Sequence, residues 1–146
     1  MALSSLKTDH DAAKDGAWFD YRGLRLRLRY TGANHAEFHK AHRKAIKSLG
    51  SRYRKLSDVP DEVWRQAMIP VYARHVVAGW KEGEELPRLT DDGPELDCTA
   101  ENVARVLCEP GLEWVFTQVV QDAANVDAYL TREDDAKNSE TPSAGS

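Results

Sequence analysis

Residues 17–30 read AWFDYRGLRLRLRY, and this stretch decides the fold class. Leu24, Leu26 and Leu28 alternate with Arg25, Arg27 and Arg29. Alternation with a period of two marks a strand with one buried and one wetted face. Trp18-Phe19-Asp20-Tyr21 supplies a partner strand. Arg22-Gly23 between them makes a tight hairpin turn, because glycine provides the positive φ that such turns need. A lone hairpin is marginal in water and has to pack on something, and the remainder of the chain offers only helical patterns. The expected architecture is mainly α with a short N-terminal β-hairpin, an α+β domain built on a small helical bundle.

C-terminal to the hairpin, Thr31-Gly32-Ala33-Asn34 reads as a turn with Asn34 as helix N-cap. A helix over residues 35–49 places Phe38, Ala41, Ala45 and Leu49 on one stripe, and Gly50 ends it. Asp61-Glu62 gives the next helix an acidic first turn suited to the helix dipole. That helix is expected to run over residues 61–79, kinked or split at Pro70 and closed by Gly79-Trp80, with Val63, Ala67, Val71, Val77 and Trp80 apolar. The loop over residues 81–98 is acidic and rich in Pro and Gly. Thr99 to Asn102 approximates a capping box, with Asn where Glu or Gln belongs. Val103, Val106 and Leu107 then face inward, and Pro110 stops the helix. A last helix over residues 111–130 buries Leu112, Val115, Phe116, Val119 and Val120, extending to Ala123, Val126 and Leu130. Residues 1–15 are expected to be a flexible N-terminus, residues 16–130 one domain (hairpin 16–30, helical part 34–130), and the polar residues 131–146 a disordered tail.

The chain of 146 residues is 41% hydrophobic and 30% charged, ordinary values for a globular domain. Its net charge of −4 conceals an asymmetry. Residues 22–55 carry eleven Lys or Arg against the single acid Glu37, while residues 82–135 carry fifteen acids against three Arg. A split of this kind favours polar partners or head-to-tail self-association into a homo-oligomer. Cys98 and Cys108 do not make a disulfide framework. No leader or membrane-spanning pattern is read, so the expected compartment is the reducing cytoplasm.

The residues that commonly carry chemistry do not assemble into a motif. His35, His39 and His42 share a helical face, but no carboxylate or cysteine at ligand spacing accompanies them, and solvated histidines are expected. Cys98 and Cys108 lack CxxC spacing. Asp91-Asp92-Gly93 lacks the alternating oxygens of a calcium loop. There is no phosphate-binding glycine loop, no GxSxG and no HExxH. Neither an enzyme nor a cofactor or metal site is expected. Binding is the remaining task. Its candidate residues are amphipathic aromatics and exposed charges: Trp80 and Trp64, Arg25, Arg27 and Arg29 on the wetted strand face, and Glu84 and Glu85 in the acidic loop. The basic residues 22–55, interleaved with Tyr30, Phe38 and Tyr53, also have the composition of a nucleic-acid surface, though no helix-turn-helix, zinc or RNA-binding signature accompanies them.

Residues 76–139 carry a further pattern: Gly79-Trp80, then Asp92-Gly93-Pro94-Glu95-Leu96, then Glu101-Asn102-Val103-Ala104-Arg105-Val106-Leu107, Pro110, a helix reaching Tyr129, and Lys137-Asn138-Ser139. This layout resembles the tail assembly chaperones of long-tailed (siphovirus-like) bacteriophages and prophages, with Tyr129 where Phe is common. The resemblance implies a chaperone that binds the tape-measure protein and the major tail protein in the cytoplasm of the bacterial host. Such a chaperone keeps the tape measure soluble during tail assembly and is absent from the finished virion. The alternatives are a nucleic-acid-associated regulator using residues 22–55, or a structural head–tail or tail subunit.

Overall fold

A computed structural model describes residues 3–32 and 35–130. The expected disordered tail (131–146), the Lys137-Asn138-Ser139 match and Asn34 as N-cap all lie outside the described residues.

The hairpin forms where the alternation places it. β1 (Ala17–Tyr21) and β2 (Leu24–Leu28) pair antiparallel, with Trp18 opposite Arg27 and Asp20 opposite Arg25. Arg22 and Gly23 both take positive φ, 55° and 104°, and the Gly23 amide donates to Asp20 Oδ1 at 3.0 Å. Two left-handed central residues give a turn whose twist matches the strands it joins.

The first departure from expectation is a third strand. The helix expected to reach Gly79 ends earlier: α3 spans Asp61–His75, and β3 (Val77–Glu82) pairs antiparallel with β2 in the order β1-β2-β3. Val76 and Val77 favour extended backbone, and Gly79 is a poor helix former. Beyond these local preferences, the outer edge of β2 has unpaired amides and carbonyls that β3 satisfies. Val77 and Trp80 both remain inward because a register shift between Arg27 and Leu28 absorbs the extra residue.

Pro70 does not split α3, which runs unbroken. Pro70 and Gln66, whose carbonyl loses its helical donor, are both exposed residues, so the missing bond lies on the outer side of the helix. α3 is the central helix, packed between α2 (Ala36–Gly50) and α4 (Ala100–Leu107) and touching β3. α4 is capped as its sequence suggests: Thr99 Oγ1 accepts from the Asn102 amide at 3.1 Å, while the Asn102 side chain donates to the Asp97 carbonyl.

α5 (Glu113–Ala124) lies against β2 and is shorter than expected. Residues Val126–Tyr129 form a 3-10 turn, which leaves Val126 exposed and seats Tyr129 in the core. The N-terminal stretch, read as flexible, contains α1 (His10–Asp15), capped by Asp9 and tied to the body through the Asp9 amide to the Tyr129 carbonyl and the Tyr30 amide to the Ala13 carbonyl. One core joins both layers: Leu26, Leu28 and Trp80 from the sheet, Met68, Ile69 and Tyr72 from α3, Val103 and Leu107 from α4, and Val115, Phe116 and Val119 from α5. The result is a small α+β domain. No helix among the described residues is long and apolar enough to cross a membrane.

Candidate binding surfaces

The wetted face of the sheet concentrates aromatic and cationic groups. The pairing register lays Trp18, Arg27 and Gly79 across one row and Asp20, Arg25 and Lys81 across the next. Trp18 is 41% exposed. Around its ring stand the Arg25 and Arg27 guanidinium carbons, 5.6 and 5.7 Å from the centroid, and Lys81 Nζ at 4.9 Å. These are cation–π distances, which hold the cations against the ring. Arg27 also donates to the Ala78 carbonyl at 3.1 Å.

Of the three strand arginines expected on this face, Arg25 and Arg27 are brought together and Arg29 is not. Arg29 lies past the end of β2, and its Nε donates to the Lys14 carbonyl at 3.1 Å, so it belongs to the junction with α1. Glu84 and Glu85 are exposed in the turn after β3, where Glu82 and Glu85 exchange backbone hydrogen bonds. Trp64 is half-buried against the core. Trp80, expected as an anchor for a partner, is a core residue instead. It is 5% exposed and its indole N–H donates to the Leu96 carbonyl at 2.9 Å. Once residues 77–82 are a strand paired to β2, Trp80 sits beside Leu26 on the inner face, with its one polar atom satisfied.

The exposed tryptophans are Trp18 and Trp114. Trp18 carried a readable signal. A two-residue turn at Arg22-Gly23 fixes the hairpin register, which alone places Trp18 across from Arg27. Lys81 had no such signal while its segment read as helix and loop.

A second surface is a groove between α2, α3 and α4, with a volume of about 500 Å³. Its floor is Ala41 and Ala45 from α2, Val71 from α3 and Ala100 and Ala104 from α4, with Lys44, Arg74 and Glu101 also lining it. Ala41 and Ala45 are the stripe residues expected to be buried, and they are only half-buried. Their small side chains leave the space open.

The α2 histidines wrap Phe38. His35, His39 and His42 ring centroids lie 5.4 to 5.8 Å from it. His35 Nε2 sits 2.7 Å from the His75 carbonyl and His39 Nε2 2.7 Å from the Gly32 carbonyl, so each ring has a nitrogen committed to backbone. Burial, then the neighbouring His35 and Arg74, lowers the pKa of His75. Burial and His39 lower that of His42. Burial raises the pKa of the Cys98 thiol, which makes it a poor nucleophile.

The family described as YdaY prophage protein matches residues 33–138. The chain belongs to the YdaY prophage protein family. Comparison with curated proteins and with solved structures gives no match. The YdaY match takes in α2, α3, β3, α4 and α5 and leaves out the β1–β2 hairpin. The alanine-floored groove therefore falls wholly inside the part of this YdaY protein that its family shares, whereas Trp18, Arg25 and Arg27 fall outside it.

Proposed function

We propose that this prophage protein is a tail assembly chaperone that holds helical segments of the tape-measure protein. The observation that carries the reading is the groove between α2, α3 and α4. Small residues on its floor let another helix approach closely, and the mixed charges around it suit an amphipathic helix laid in with its apolar face down. Support also comes from the sequence pattern over residues 76–139, which resembles tail assembly chaperones, and from membership of a prophage family. A tape measure is a long helical protein with apolar seams that need cover until a tail tube surrounds them. Covering them requires only moderate affinity at each site when many copies bind one chain. The major tail protein is a second partner under this reading, and the chaperone leaves before the virion is complete.

The test is co-expression with the tape-measure protein encoded in the same prophage. The expected result is a soluble complex, weakened when Ala45→Arg or Ala104→Arg fills the groove. A tape measure that stays insoluble beside a soluble, folded partner would overturn the reading. A second reading has its own observation, the cation-ringed Trp18 on the sheet face, which suits stacking of a nucleic-acid base beside phosphate contacts. A gel shift whose affinity falls steeply with salt and is lost in Trp18→Ala would favour it.

A further inference from the structure

The junction of α1, the end of β2 and the start of α2 forms an open cavity of about 360 Å³. That volume lies in the range of small-molecule sites. Its wall contains Lys14 from α1, Arg29 and Tyr30 from the segment after β2, and His35 at the start of α2, with Thr8, His10 and Ala13 completing it. Two kinds of surface meet there. The Ala13 methyl and the Tyr30 ring are apolar, and Tyr30 is held in place by Tyr129, whose centroid is 4.9 Å away. Lys14 and Arg29 are cations. Among the described residues neither has an ion-pair partner, and no Asp or Glu lines the cavity.

Arg29 is also pre-positioned. Its Nε is fixed to the Lys14 carbonyl at 3.1 Å, which orients the guanidinium and leaves its terminal amino groups without a protein acceptor among the described residues. A guanidinium held this way can grip two oxygens of one anion. Two cations on one cavity wall repel each other, and an anion between them removes that repulsion.

We propose that this cavity binds a small organic anion, a carboxylate or phosphate group carried on a compact apolar body. The head group is held by Arg29 and Lys14, and the body lies against Tyr30 and Ala13. The site is separate from the groove and does not depend on the chaperone reading.

The proposal is tested by amide chemical-shift titration of the full-length protein with benzoate and with phenyl phosphate, using benzyl alcohol as the uncharged control. The expected result is saturable shifts at Ala13 and Tyr30 with at least one anion and none with benzyl alcohol. Whichever anion binds more tightly identifies the head group. Arg29→Gln should weaken binding by roughly tenfold or more, the effect of losing a charge-assisted hydrogen bond. If that variant does not fold, Lys14→Gln carries the same expectation. The absence of saturable shifts with both anions, binding of benzyl alcohol as tight as that of the anions, or full affinity in a folded variant would each overturn the proposal.

Discussion

At the scale of single residues, aromatic side chains of similar composition have opposite tasks. Tyr129 is fully buried and donates its hydroxyl proton to the Leu28 carbonyl at 2.8 Å. Tyr21 donates to Asp122 at 2.7 Å. Burial is the largest cause that pushes both phenols well above the ordinary tyrosine range, with Asp122 adding to it. Tyr129→Phe leaves a buried carbonyl without its donor, so it should cost about 1–3 kcal/mol in urea denaturation. Trp80 is buried in the core, whereas Trp18 is exposed. Trp80→Ala empties a core site and should cost roughly 3–5 kcal/mol. Trp18→Ala removes only exposed cation–π contacts and should cost about 1 kcal/mol or less. Equal losses for the two would mean that the sheet faces have been assigned the wrong way round.

At the scale of elements, the informative positions are the joins. Gly16, between α1 and β1, has φ 107°, and a Cβ there would lie 2.6 Å from Arg27 Cγ and 3.2 Å from the Leu28 carbonyl. Gly16→Ala should therefore cost about 1–3 kcal/mol and loosen α1 from the sheet, visible as faster amide exchange at Tyr30. Thr99→Ala removes the α4 cap and should cost about 1 kcal/mol, with Thr99→Ser close to neutral. The hairpin was legible because its signals agree: alternation, a glycine turn and a partner of equal length. The third strand was not. Val71, Val77 and Trp80 lie at roughly helical spacing, so the local pattern continues α3 past its true end. The pairing demand of β2's free edge, which lies some fifty residues away in the chain, decides against it.

At the scale of the whole molecule, the histidine-rich junction of α2 with α3 couples fold stability to pH. His42 and His75 have pKa values lowered below the ordinary 6.5, mainly by burial. Between the folded and unfolded pKa values the unfolded chain binds more protons, so stability rises with pH there. The contribution is complete above about pH 6.5 and is lost as pH falls through the folded values. Melting temperature should drop on acidification through this window, and His42→Gln with His75→Gln should flatten the dependence. A wild-type melting temperature that rises on acidification would contradict the burial of these rings.

By itself the sequence determined the α+β class, the hairpin and its register, the α4 cap, and the helical stripes that become the core, because each rests on interactions between near neighbours in the chain. Its charge asymmetry and lack of catalytic motifs also directed attention to binding. Only the tertiary structure decided which surfaces exist for that binding. It moved Trp80 into the core and set Lys81 beside Trp18. It also left the alanines of α2 and α4 facing an open groove and turned Arg29 away from its strand neighbours into a cavity. The physical reason is the same in each case. A side chain's exposure and partners are set by elements distant in sequence, and the need to pair a free strand edge and fill one common core outweighs the local preference of any short segment.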